Sequence, residues 1–481
     1  MSRGPATVGR LRAALRTALK HANEDAKPAS AIHAGLHPVY GSAMPTVASS
    51  KQAAHESFAH GWCQQAAKLL FGFAAASIAC GAVEAAEERL NPEVLQDLAH
   101  DLVKGQYADK ERAVAMLSSM TMYIDHHEVL LESGVLPALM SAVSNPKVEP
   151  TVRVVALGCT ADLFKSPEAQ NYLATHPDFL QVLVQCMRGE DRWDSGPEEG
   201  GLAKSHAARL LSELAGYDKL HALMVRSGAA EAVADRGEEL ARLSAKQDRH
   251  YSSLGAVPGN NLELQAVDEE RFTAAALFGL AGSPQGLDVL LRHPGQVLTG
   301  MVNWAQSRDP ILQRYGVGGV ARAAISSGAG LAAVTDAGGL EALVAALSED
   351  DPQAQCFAAA ALGKHSSLYT LSSRLAARGG QESQALIQQG APQGLLSMLQ
   401  QSAGQDKGGA NVGSNSKGVR KGVYKCALRG LLAATQDQDM RAALQKSQGA
   451  ETVQAFMSKI STDGDPDLAD LANRLAQQLA A

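Results

Sequence analysis

The sequence predicts an all-α fold, a solenoid of about seven stacked repeats, and three observations lead to it. An Ala-rich apolar helix recurs along the chain: KERAVAMLSSM from Lys110, TVRVVALGCTADLF from Thr151, KSHAARLLSELAG from Lys204, ERFTAAALFGLAG from Glu270, LQRYGVGGVARAA from Leu312, PQAQCFAAAALGK from Pro352 and GVYKCALRGLLAA from Gly422. A small-residue turn recurs between helices: SGVLPAL from Ser133, SGAAEAV from Ser227, AGGLEAL from Ala337, QGAPQGL from Gln389 and QGAETVQ from Gln448, with degenerate versions from His176 and His293. Finally, the 481 residues are 46% apolar but only 4% aromatic, so Ala and Leu supply most of the core. These are the strongest helix formers, and no run of alternating β-branched residues competes with them. A unit that cannot bury its apolar face alone must stack on its neighbours.

Taken in order, the first segment is residues 1–50, read as an organellar targeting segment that is cleaved or left unfolded. Met1 to Asn23 holds no acid, while Arg12, Arg16 and Lys20 recur every fourth residue on one helical face and Leu11, Leu15, Ala18 and Leu19 share another. A basic amphipathic helix without acids has the character of a mitochondrial presequence. A chloroplast address is the alternative, because Ala, Ser and Pro fill residues 26–50. Residues 51–94 form a linker containing the uncharged run LLFGFAAASIACGAV, Leu69–Val83. This run is expected either to anchor the protein in a membrane, the inner one for a mitochondrial protein, or to be a buried helix or second sorting signal. Its length falls short of the roughly 20 residues that span a bilayer.

Residues 95–481 carry the repeats. Several start-to-start distances are about 41–42 residues. Within AAALFGLAG, apolar residues fall at spacings of three and four, so one face packs inward, and Ala274, Ala275, Ala276 and Gly279 let neighbouring axes approach. Asp351 is a good N-cap, with Pro352 at the first helical position. Gly in the turn permits positive φ, so a bulky residue at Gly338 or Gly339 is expected to cost about 1 kcal/mol. Insertions are expected near 189–201, 236–269 and 401–418. The first is acidic, with Trp193 in its middle.

On the Ala-rich helices and on LAAVTDAGGLEALVAAL from Leu331, the chain resembles the armadillo repeat family. That resemblance implies a right-handed superhelix of units, each made of one short and two longer helices. It also implies a concave binding surface lined by one helix per unit. Peptide-binding members carry an asparagine ladder on the third helix. The matching positions here are about Ser119, Asp162, Glu213, Gly279, Ala323, Lys364 and Gly430, and none is asparagine. Recognition of a nuclear signal is therefore not carried over. Asp162, Glu213 and Lys364 are instead expected to line the binding face as charged positions, joined by a basic stripe of Lys417, Lys421, Lys425 and Arg429 at helical spacing and by Trp193.

The net charge of −7 makes nucleic acid an unlikely partner, since binding it requires a basic surface. Cys63, Cys80, Cys159, Cys186, Cys356 and Cys426 are widely spaced with no CxxC pair, which suits buried thiols better than a disulfide framework or zinc site. Gly316, Gly318 and Ala321 match a dinucleotide fingerprint, but no strand precedes them. Asp125, His126 and His127 spell a metal-hydrolase triplet without the further ligands such a site needs. No catalytic residue, metal or cofactor is expected. The predicted function is a non-enzymatic protein-binding scaffold or adaptor in an organelle, for partners of mixed charge. The alternatives are an Hsp70-type co-chaperone acting in nucleotide exchange, or a structural subunit of an organellar ribosome or other large complex.

Overall fold

The computed structural model describes residues 90–189, 197–246, 261–293, 296–349, 351–371, 384, 386–404, 415–460 and 465–480. Residues 1–89, with Leu69–Val83, and Trp193 lie outside the described residues. Among the described residues the regular structure is helical throughout, with no strand. No single described helix is long and apolar enough to cross a membrane.

The described chain begins with α1 (Pro92–Lys104) and α2 (Tyr107–Thr121), which Lys110 ties together by donating to the carbonyls of Leu102 and Val103. A short, a middle and a long helix then follow: α3 (His127–Glu132), α4 (Val135–Ser144) and α5 (Pro150–Leu163). The triplet recurs as α6 (Pro167–Thr175), α7 (Asp178–Arg188) and α8 (Pro197–Ala215), then as α9 (Asp218–Arg226), α10 (Ala229–Lys246) and α11 (Asn261–Leu280). It recurs again as α12 (Pro284–Arg292), α13 (Gln296–Ala305) and α14 (Pro310–Ser326), and as α15 (Gly328–Asp336), α16 (Gly339–Ala346) and α17 (Pro352–Leu371). The chain continues through α18 (Ala391–Gly404) and α19 (Asn415–Ala434) to α20 (Gln438–Lys446), α21 (Gly449–Ile460) and α22 (Pro466–Ala480).

Packing follows the period of three. Each long helix lies on the next, from α2 through α5, α8, α11, α14, α17 and α19 to α22. The middle helices form a parallel row, α4, α7, α10, α13, α16, α18 and α21. Leu157, Leu163, Leu277, Leu362 and Leu431 lie fully buried in the long row. Each contributes about 1.5–3 kcal/mol relative to exposure, which an isolated unit could not recover.

Local chemistry sets the boundaries. Ser166, Ser283, Asp309, Ser327, Asp437 and Asp465 accept hydrogen bonds from the first-turn amides of their helices, and Asp351 does the same for Gln353 and Ala354. The turns before α4, α10, α16 and α18 use the left-handed region at Gly134, Gly228, Gly338 and Gly390, with φ of 76°, 74°, 78° and 85°. Gly339 is confined for a different reason from Gly338: its φ is ordinary, but a Cβ there would stand 2.9 Å from a methyl of Val320. In the last turn the left-handed residue is Gln448, φ 58°, not the Gly449 that the sequence aligns with it. Gly449 instead takes the place of Gly339, where a Cβ would stand 2.7 Å from the Leu444 carbonyl.

A second repeated device closes α2, α5, α8 and α19. A side chain of the following short helix donates to a carbonyl at the long helix's end: His127 Nε2 to Thr121 (2.8 Å), Gln170 Nε2 to Phe164 (3.0 Å), His221 Nε2 to Ala215 (2.7 Å) and Arg441 Nε to Thr435 (2.8 Å). These bonds satisfy carbonyls that a helix end leaves unpaired.

Candidate functional site

The long-helix row carries the candidate binding positions, and the closing carbonyls supply an internal ruler for them. Counting back two residues from Thr121, Phe164, Ala215 and Thr435 gives Ser119, Asp162, Glu213 and Ala433. The Ser283 amide bonds the Leu280 carbonyl as the Tyr217 amide bonds that of Leu214, so Ala281 is level with Ala215 and the register at α11 falls on Gly279; Arg322 and Lys364 lie at matching distances from the caps Asp309 and Asp351. The sequence-aligned Gly430 is therefore replaced by Ala433, Gly279 keeps its place, and Arg322 stands next to the aligned Ala323. Gly279 and Gly430 face backbone: a Cβ on Gly279 would collide with the Ala215 carbonyl, and one on Gly430 would stand 2.8 Å from that of Ala359. Neither register contains asparagine.

Asp162 does not present an open charge. It is buried on α5, bonded to Arg209 of α8 and, at 3.2 Å, to Lys165. Burial pushes its carboxyl up, but the two cations and their hydrogen bonds outweigh that and hold it below the usual carboxylate range. Burial and the like charge of Arg209 lower Lys165. Beside this cluster, burial pushes the His206 imidazole down to about 3, so it is neutral in the folded protein. Glu213 is half-buried and contributes to the field at Lys165.

Farther along the row the character changes to aromatic. Phe278 of α11 packs against Tyr315 of α14 and Phe357 of α17, with ring centroids 5.8 and 5.3 Å apart. The Arg322 guanidinium stacks on Phe278 at 3.8 Å and donates to its carbonyl at 3.2 Å. Its neighbour on α14, Gly318, leaves the room the rings need, since a Cβ would stand 2.7 Å from Phe278. The glycines of the dinucleotide-like motif thus serve helix packing. Among the described residues Arg322 has no ion-pair partner, and burial lowers its pKa.

The basic stripe sits on α19, where Lys417, Lys421, Lys425 and Arg429 do share one helix. Lys421 and Arg429 are half-buried. Lys425 is engaged by Asp465 (3.4 Å) and Asp467 (3.2 Å) at the start of α22, and its hydrogen bond to Asp467, with the charges of both carboxylates, raises its pKa. Only the backbone positions of Lys364 and Lys417 are described.

The Lys425–Asp465 pair belongs to a pattern that sequence reasoning missed. A cation on one long helix bonds the cap carboxylate of the next. Arg271 donates to Asp309 Oδ2 (Nη2, 2.5 Å; Nε, 3.1 Å), and Arg314 Nε donates to Asp351 Oδ2 at 2.8 Å. The other oxygen of each aspartate caps its own helix. Asp351 was readable as an N-cap; the distant cation that bonds it was not.

Other places offer less. An open cleft of ≈ 580 Å³ lies between α16 and α18, lined by Glu341, Val344, Ser348, Gln389, Gln393 and Ser397. Asp125 is exposed, and His127 is buried against the Thr121 carbonyl. Among the described residues no group of three His, Cys, Asp or Glu is placed to hold a metal ion.

No protein-family model matches the chain, and no curated protein matches it. Solved structures do align with it. A designed armadillo repeat protein matches at TM-score 0.45 and 17% identity, over 56% of this chain and 99% of its own. Another, determined in complex with a (KR)4 peptide, gives 0.43 and 16% over 56% and 99%. An engineered protein gives 0.34 and 18% over 80% and 99%. On its own helix order, a short, a middle and a long helix stacked in rows, this chain is an armadillo-like helical-repeat array.

Proposed function

We propose that the chain is a non-enzymatic protein-binding scaffold whose partner lies along the long-helix row. The observation that carries this reading is the set of half-buried Tyr315, Arg322, Lys421 and Arg429 on two of the long helices, α14 and α19. Aromatic and Arg side chains at the edge of burial supply most of the energy at protein interfaces. The partner is of mixed charge. Its acidic part meets Arg322, Lys421 and Arg429, and a basic part meets Glu213. The net charge of −7 disfavours nucleic acid in that role.

The proposed address is an organelle, mitochondrial in the first instance. The acid-free amphipathic stretch Met1–Asn23 supports it, and the uncharged run Leu69–Val83 supports a tether to the inner membrane. A reporter fused to residues 1–50 is expected to enter mitochondria; one that stays cytosolic overturns the address. For the binding face, partners captured from isolated organelles by the native chain are compared with those held by Lys421→Glu/Arg429→Glu. The double variant is expected to lose the partner while keeping its helicity, and added salt is expected to weaken the native complex. Equal capture by both proteins refutes the long-row site.

A further inference from the structure

Two cysteines meet between α17 and α19. Cys356 and Cys426 are both buried, at 3% and 5% exposure, and their side chains hydrogen-bond to one another. Cys356 Sγ also lies 3.6 Å from the Gly422 carbonyl, one turn before Cys426. The helices run close here. One turn past the cysteines, a Cβ on Gly430 would stand 2.8 Å from the Ala359 carbonyl. Gly422 itself borders open space, with no heavy atom within 4 Å of where its Cβ would be.

We propose that Cys356 and Cys426 form a dithiol that closes to a disulfide, stapling α17 to α19, with a low-molecular-weight disulfide such as oxidised glutathione as the oxidant. The Cys426 thiolate attacks one sulfur of the oxidant, whose S–S bond breaks and releases one thiolate. Cys356 then gives its proton to that thiolate or to water and attacks Cys426 in the mixed disulfide, expelling the second thiolate. The protein loses two hydrogens and two electrons, and the oxidant becomes two thiols.

The order of attack follows from the surroundings. The hydrogen bond from Cys356 holds the Cys426 thiol below its ordinary value against the opposing effect of burial, and the Arg429 charge helps. The same hydrogen bond and burial raise Cys356. The thiolate is the attacking species, so Cys426 leads and Cys356 resolves. Cys159 and Cys186 are buried apart, Cys159 pushed up to about 12 by burial and by Asp162, and both are expected to stay reduced.

The test is thiol mapping of the full chain after incubation with oxidised glutathione, with alkylation, digestion and mass spectrometry. The expected result is a linked peptide pair holding Cys356 and Cys426, a loss of both alkylatable thiols, and full reversal by dithiothreitol. Cys356→Ser is expected to trap a glutathione adduct on Cys426, and Cys426→Ser to leave Cys356 largely unmodified. Circular dichroism in each case confirms that the chain is folded. Failure of the folded native protein to form the linked pair overturns the proposal. Equal adduct formation at Cys356 in Cys426→Ser overturns the assigned order.

Discussion

Replacing Asp309 tests whether the cap-and-cation pattern holds successive units together. The Asp309 side chain is 1% exposed. Its Oδ1 accepts from the amides of Ile311 and Leu312, both at 2.9 Å, and its Oδ2 accepts two bonds from Arg271 of the preceding long helix. Losing an N-cap to Ala costs about 1 kcal/mol. Losing a hydrogen bond to a charged group costs about 1.5–3 kcal/mol, and the lower end applies here. Arg271 is 28% exposed and keeps Asp268 at 3.5 Å. Asp309→Ala is therefore expected to destabilise by about 2–4 kcal/mol. Asp309→Asn retains the cap oxygen and should cost about 1–2 kcal/mol. Arg271→Gln should cost about as much, and the double variant Asp309→Asn/Arg271→Gln should reveal a coupling of at least about 0.5 kcal/mol. The assays are urea unfolding followed by circular dichroism, and amide hydrogen exchange at Ile311 and Leu312. Exchange matters because a repeat array loses stability locally, at the α11–α14 interface, before it loses it globally. If Asp309→Ala costs no more than Asp309→Asn, the cap is idle. If the coupling is zero, the contact between units does not act as a brace.

Other expectations concern pH and the turns. His206 is held neutral at about 3 in the folded state and titrates near 6.5 when unfolded, so the unfolded chain binds the extra proton first. The stability it contributes is complete above pH 6.5 and lost as pH falls toward 3, about 2 kcal/mol of it between pH 7 and 5. The urea midpoint should show that slope, and His206→Gln should flatten it; an unchanged slope would rule His206 out as its source. Gly338→Ala should cost about 1 kcal/mol, and Gln448→Gly should raise stability by up to about the same amount, because both residues hold positive φ. Thermal melts showing Gln448→Gly to be destabilising would contradict the assigned turn geometry.

Much of the architecture was legible without coordinates. The helices follow from apolar spacing and Ala content, their starts from Asp351–Pro352 and similar pairs, and the turns from glycines at fixed places, because all of these are properties of neighbours in sequence. The turn before α21 was the exception: alignment chose Gly449, while the chain put Gln448 in the left-handed region and used Gly449 for close packing. The candidate site was legible only as residue types. The spacing of Lys417, Lys421, Lys425 and Arg429 correctly predicted one shared helix, yet Lys425 is engaged by Asp465 and Asp467 of the next unit. Asp162 looked like an open charge because Arg209, its partner, lies on another helix. Phe278 and Arg322 passed unnoticed because their significance is mutual, a guanidinium on a ring across two units. Local propensity and turn chemistry act within a few residues and can be read from the chain. Burial, charge pairing and register between units depend on which helices meet, and stacking alone decides that.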